Sequence, residues 1–188
     1  MSSLPLFPLG TVLVPGQAMP LQLFEPRYLQ LHRDLMALSP EERRVGIIRI
    51  RQGHEVGTDH TNRLEAVGCE GILQESDEVL VGGQERIAWL LLGARRFRLD
   101  GIDDGAHTAY AMGRVTWLDG ELPDEGTLRA HAAAARAGLT VDQRQRILEI
   151  DDASERDRVV RRLVREELAL QREFGARPVH QPPDISLN

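Results

Sequence analysis

A chain of 188 residues and 21.0 kDa has room for one domain, or for one domain with a smaller helical appendage, and for a core that needs no disulfide or metal staple. Its 41 % hydrophobic and 28 % charged residues are the composition of a globular protein, and its single cysteine, Cys69, excludes an intrachain disulfide and a multi-cysteine zinc site. All 23 basic residues are arginine, so a Walker-A loop, a Schiff base and a Ser–Lys dyad are all excluded from this chain.

The arginine bias is the expected mark of a GC-rich genome rather than of function. Net charge is −6, and it is spread evenly: 12 arginines against 16 acids over residues 1–120, and 11 against 13 over residues 121–188. Neither part is a basic module that draws in nucleic acid. The longest apolar run, Ile87 to Leu92, falls far short of the roughly 20 residues of a membrane helix. The N-terminus has two prolines and no basic residue before its apolar stretch, unlike a signal peptide. A cytoplasmic chain without membrane contact is expected.

Leu4 to Leu9 is apolar but has prolines at 5 and 8, which predicts an edge or irregular strand crossing the outside of a sheet. Pro15-Gly16 signals a turn, and Met19 to Phe24 alternates loosely. Glu25 at a cap position and Pro26 at the first helical position start a helix. Its stripe is Tyr28, Leu31, Leu35 and Leu38, and Ser39-Pro40 stops it. His32 lies one residue off the stripe and is expected at the surface.

No proline occurs between Pro40 and Pro123, an interval that holds 12 of the 17 glycines, so consecutive strands joined by tight turns are expected there. Val45–Arg51 is predicted as a strand, with Arg49 and Arg51 facing opposite to Ile48 and Ile50. Gln52–Asn62 is a polar loop. Leu64–Glu75 is a strand bent at Gly68 or Gly71, and Asp77-Glu78 is a hairpin tip before Val79–Val81. Arg86–Leu92 is apolar on both faces, as in a central strand. Arg95–Leu99 places Phe97 and Leu99 inward and Arg96 and Arg98 outward, and Tyr110–Leu118 is the last strand. Six or seven short strands with one inserted helix point to a small, strongly bent barrel.

Helices are predicted from about Asp124 to Ala137, from about Val141 to Ile150, and from Asp152 or Ser154 to Gly175. Asp152 with Glu155 resembles a capping box. Val160, Val164 and Leu168 share a face of the last helix, and the Pro182-Pro183 tail is expected to fray.

Side chains with chemistry in them are few. His54, Glu55, Asp59 and His60 form one metal-like cluster, but no helix or strand spacing fixes their geometry, and a solvated loop explains them. No metal and no cofactor is expected. No serine stands in a Gly-x-Ser-x-Gly elbow. Cys69 follows Gly68 in a strand with no base nearby, so a buried structural thiol is expected. The acid pairs Glu41-Glu42, Asp103-Asp104 and Asp151-Asp152 sit at turns or helix starts. Arg95, Arg96 and Arg98 are the one local basic feature. On an exposed strand face they would contact phosphates or an acidic peptide, which makes them the candidate peptide-binding residues; pairing with acids on neighbouring strands is the structural explanation.

Leu4-Pro5-Leu6-Phe7-Pro8-Leu9, Val12-Leu13-Val14-Pro15-Gly16 and Pro20-Leu21-Gln22-Leu23-Phe24-Glu25-Pro26-Arg27-Tyr28 together resemble the opening signature of the Lon protease N-terminal (substrate-binding) domain family. Gly93 to Leu99 resembles that family's G-x-x-R-F block, and Gln145–Glu149 and Glu166-Glu167-Leu168 resemble its helical half. The resemblance implies an α+β fold: a PUA-like β-pseudobarrel with one inserted helix over residues 1–120, a C-terminal helical bundle over 121–178, and a flexible tail over 179–188. The signature residues have structural jobs of their own: Phe24 and Phe97 are expected to fill the barrel, and Arg27 to pair with a carboxylate or cap a carbonyl. In full-length Lon the domain helps to recognise unfolded or tagged proteins ahead of an ATPase and a Ser–Lys peptidase. This chain ends after the helices and has no lysine, so a stand-alone, non-catalytic form is expected. It would bind polypeptide segments or a protein partner through an exposed apolar patch or an open sheet edge. The alternative is an RNA-binding PUA-like module, which the negative charge opposes and which salt-dependent RNA binding would reveal. A small-molecule enzyme would need a deep polar pocket with convergent ionisable groups.

Overall fold

The computed structural model describes residues 2–51, 64–82, 84–120 and 122–174. Its elements run β1 (Ser2–Leu9), β2 (Ala18–Leu23), α1 (Pro26–Met36), β3 (Arg44–Arg49), β4 (Val67–Val81), β5 (Gln84–Ile102), β6 (Met112–Trp117), α2 (Glu125–Arg136), α3 (Val141–Leu148) and α4 (Ala153–Phe174). All strands join one mixed sheet in the order β2-β5-β4-β3-β1-β6. A further pairing of β5 with β6 closes five strands into a ring and leaves β2 attached, among the described residues, to β5 alone. The fold is α+β, a bent barrel with an inserted helix and trailing helices, as expected.

β1 is not the expected edge strand. It lies between β6 and β3, antiparallel to the first and parallel to the second. Its prolines fit because it changes partner midway: Ser2–Pro5 pair with β6, and Leu6–Leu9 with β3. Leu9 O accepts from Ile50 N and Leu6 N donates to Ala111 O, so alternate residues address opposite neighbours. Pro5 thus turns its missing N–H toward β3 before that pairing begins, and Pro8 turns its own toward β6 after that pairing has ended.

The hairpin tip also moves. β4 continues through Asp77 and Glu78 to Val81, and the turn falls at Gly82, whose φ of 61° suits glycine. Segments 86–92 and 95–99 are one strand, β5, with Gly93 between them. A Cβ at Gly93 would lie 2.2 Å from the Val14 carbonyl oxygen, so the chain crosses there against bare backbone. Register shifts between Cys69 and Gly71, Leu73 and Glu75, and Leu99 and Gly101 bend the long strands, the first of them where a bend was expected.

Two apolar clusters occupy opposite faces of β1 and β3. Leu4, Leu6, Ile48, Phe97 and Val115 fill one. Phe7, Leu9, Val45 and Ile47 belong to the other, which α1 covers with Tyr28, Leu31 and Leu35. Phe7 stacks on Tyr28 with ring centroids 4.0 Å apart. α1 ends at Met36, which leaves Leu38 outside its stripe and 43 % exposed. Phe24 is half-buried under the Arg86 guanidinium rather than in the barrel, whereas Phe97 is fully buried. Arg27 pairs with Glu25 at 2.7 Å.

A third cluster, with Ala130, Ala134, Ala137, Leu139, Ile147, Val160 and Leu163, holds the C-terminal helices together. Their starts follow the local signals. Asp124 accepts from Thr127 N, Thr140 and Gln143 form a capping box, and Asp152 accepts from Glu155 N at 2.7 Å. Leu168 does not share the burial of Val160 and is 44 % exposed.

Candidate functional site

Residues paired directly across neighbouring strands point to the same side of a sheet. Ala18 on β2 faces Leu92 on β5, which faces Ile72 on β4, and one step along Pro20 faces Leu90, which faces Glu75. The alternate residues Met19, Leu21, Ile87, Trp89 and Leu91 are buried on the α1 side. Segment 86–92 is therefore buried on one face only, contrary to the sequence expectation, because no described element covers the other. Ala18, Pro20, Ile72, Leu90 and Leu92 form an outward apolar patch, with Leu92 37 % exposed, bordered by Arg44, Gln22 and Glu75.

β2 also has an open edge among the described residues. Pro20 has no N–H, so its pair with Leu90 is a non-hydrogen-bonded one, and the backbone groups of Ala18, Pro20 and Gln22 address that edge. Farther out on the same arm, Val79 and Leu80 stand 38 % and 79 % exposed near the turn.

A shallow depression of about 570 Å³ lies between α1 and β4, lined by His32, Arg33, Met36, Ala37, Ser76, Asp77 and Glu78. His32 is buried, not at the surface. Trp89 Nε1–H donates to its Nδ1 at 3.1 Å, which requires Nδ1 to be unprotonated, and its Nε2 lies 3.8 Å from Glu78.

The candidate arginines do not share an open face. Arg95 lies over the Trp117 ring, 3.7 Å from its centroid, and bonds the fully buried Glu70, which Arg44 also reaches. Arg96 does point away from Phe97, but the C-terminal helices cover that side and leave it 2 % exposed. It forks onto Asp119 and donates to the carbonyls of Leu148 and Ile150. Arg98 is exposed and pairs with Asp151 at 3.1 Å. Arg156, equally buried, donates to Ile150 O, Asp151 O and Thr127 Oγ1. Arg96 and Arg156 thus both grip the turn of backbone between α3 and α4, sharing the Ile150 carbonyl.

Arg49 faces opposite to Ile48, as expected, and is buried there, reaching Asp142 on α3. Cys69 is buried, with its thiol pushed well up by desolvation and then by Glu70, as a structural thiol should be. His131 is buried with no hydrogen-bond partner on either nitrogen among the described residues; desolvation, then Arg156 and Arg96, push it down to about 3. His107 is exposed. His54, Glu55, Asp59 and His60, and the Pro182-Pro183 tail, lie outside the described residues. No helix among the described residues is long and apolar enough to cross a membrane.

Residues 3–129 match the family model of the ATP-dependent protease La (LON) substrate-binding domain. The crystal structure of a Lon N-terminal domain protein from Xanthomonas campestris is similar at a TM-score of 0.59 and 26 % identity, over 88 % of this chain and 98 % of that one. The N-terminal domain of Mycobacterium avium complex Lon protease is similar at 0.57, over 88 % and 99 %; at 15 % identity that likeness is one of fold. No protein of curated description matches the chain. Since the family match covers more than half of its length, the chain belongs to the family of the ATP-dependent protease La (LON) substrate-binding domain.

Proposed function

We propose that this chain is a non-catalytic module that binds unfolded or tagged polypeptide segments on the outward face of β2, β5 and β4. The observation that carries this reading is the apolar patch of Ala18, Pro20, Ile72, Leu90 and Leu92 beside a strand edge that is open among the described residues. Apolar side chains of an extended segment would be desolvated against the patch. The β2 backbone would supply hydrogen bonds on either side of Pro20. Pro20 removes one donor from the edge, which favours transient binding over permanent strand addition. Membership of a substrate-binding family supports the same reading. Arg95, Arg96 and Arg98 enter as positioning residues, because acids or aromatic rings already engage each of them. That engagement also favours polypeptide over RNA. A protein acting in the cytoplasm beside a separate protease fits this role.

The test is the affinity for a reduced, alkylated, permanently unfolded protein, measured by fluorescence anisotropy. Replacing both Leu90 and Leu92 by Asp should weaken binding by about tenfold or more, since each buried leucine contributes about 1.5–3 kcal/mol. Equal affinity for wild type and the double variant, or no binding by wild type, overturns the reading.

A further inference from the structure

A second recess lies far from the sheet patch in sequence, between α2 and α4. It encloses about 590 Å³ and is lined by Ala130, Ala133, Val160 and Val164, with Arg129, Arg136 and Arg161 among its polar residues and Asp157 as its one acid. The small side chains of α2 keep the floor low. The apolar stripe of α4 outruns the partner helix, because α2 has 12 residues and α4 has 22, and one turn beyond Val164 Leu168 stands 44 % exposed. The floor is therefore a shallow apolar trough, the half-buried Ala133 and Val164 beside the buried Ala130 and Val160, running between basic walls along the 12 residues of α2, about 18 Å or three turns of helix.

The charge at the rim is available. Arg129 pairs with Glu125 and Arg161 with Asp157, but both are exposed i,i+4 contacts worth a few tenths of a kcal/mol, easily exchanged for an incoming carboxylate. Arg136 is exposed and makes no ion pair among the described residues. Arg129 and Arg136 are seven residues apart on one face of α2, and Arg165 continues the Arg161 row one turn further along α4. The walls of this trough are thus positive in a chain whose net charge is −6.

We propose that the α2–α4 trough is a docking site for an acidic amphipathic helix of a protein partner. Apolar residues at i, i+3, i+4 and i+7 fill the floor, and Asp or Glu seven residues apart meet Arg129 and Arg136. A second copy of this chain is a poorer occupant. Each of α1, α2, α3 and α4 carries at least as many arginines as acids, so none brings the surplus of carboxylates the walls call for. The site is separate from the sheet patch and does not rest on it.

Two synthetic helical peptides of about 14 residues test this, long enough to span the trough. They share a leucine and alanine stripe and differ in carrying Glu or Arg at the flanking positions. Binding of the labelled peptides to the full chain is read by fluorescence anisotropy at low and moderate salt. The Glu peptide should bind about tenfold or more tightly than the Arg peptide, and the gap should shrink with salt. Ala133→Trp, which fills the trough, should abolish the binding, while Leu90→Asp with Leu92→Asp should leave it unchanged. Arg136→Glu with Arg129→Glu should reverse the peptide preference, and these exposed positions keep the test decisive if Ala133→Trp does not fold. Equal binding of the two peptides, or Glu-peptide binding that survives the charge reversal, overturns the proposal. So does a concentration-dependent dimer in light scattering that Ala133→Trp disperses, which would make a second copy the occupant.

Discussion

Strands β1 and β3 are buried on both faces by large side chains, Leu4, Leu6 and Ile48 on one and Phe7, Leu9, Val45 and Ile47 on the other. Helices α2 and α4 meet instead through Ala130, Ala134, Ala137, Val160 and Leu163, a cluster poor in volume. The hydrophobic stabilisation per residue is accordingly smaller in the helices. Much of their attachment to the sheet runs through polar contacts: Arg96 on β5 holds the carbonyls of Leu148 and Ile150, Arg49 on β3 reaches Asp142, and Gln145 donates to Val67 O, while Arg156 ties α4 back to the same turn. Large apolar side chains fill both faces of the central strands, whereas the helices join the sheet through Leu148 and a few polar contacts that must be satisfied together.

Removing Arg96 should break this arrangement hardest. Arg96→Met takes the guanidinium from the nearly buried Asp119 and the donor from Leu148 O, and leaves Ile150 O to Arg156 alone, a loss of about 3–5 kcal/mol in urea denaturation. Amide exchange should rise in α3 and α4 more than in β1 and β3. Uniform exchange across both regions would mean that the helices do not depend on this joint. Deleting the Phe97 ring instead, Phe97→Ala, should cost a similar 3–5 kcal/mol but loosen the strands first.

Acid distinguishes the regions further. His131 stays neutral in the fold down to about pH 3, while in the unfolded chain it takes up a proton near its ordinary 6.5. The unfolded state therefore binds more protons between those values, and stability falls as the pH drops below about 6.5, by about 1.4 kcal/mol per pH unit from this group. His131→Leu, which removes a ring with no hydrogen-bond partner among the described residues, should flatten the curve between pH 6.5 and 4.5; an unchanged slope would show that other groups set it. Asp124→Ala should cost about 1 kcal/mol through loss of the α2 cap, read from the thermal midpoint. Leu80→Ser, at an exposed place near the hairpin turn, should shift stability by no more than about 0.5 kcal/mol.

Local physics made the helices legible. Asp124, the Thr140 and Gln143 pair, and Asp152 begin helices by contacts within three residues, and those starts can be read without knowing the fold. Pro26 likewise marks the start of α1. What failed depended on partners distant in sequence. His32 is buried because Trp89, 57 residues on, donates to it. Arg96 is buried because Leu148 and Ile150 return to cover it. β1 is interior because it exchanges β6 for β3 between its prolines, a switch that proline spacing alone does not announce. The outward patch was hidden for the same reason. The loose alternation of Met19 to Phe24 hinted at a two-faced strand, but only the register shows that Pro20, Leu90 and Leu92 stand together. The three candidate arginines were conspicuous as a run, and their partners Glu70, Asp119 and Asp151 lie too far along the chain to be seen from it.

Hydrogen–deuterium exchange with and without a saturating unfolded polypeptide tests the central claim most directly. Slowed exchange confined to amides of β2 and the neighbouring stretch of β5, 87–92, is the predicted footprint. Slowed exchange around Arg98 and Asp151 with none in β2, or no change anywhere in the presence of the polypeptide, would contradict it.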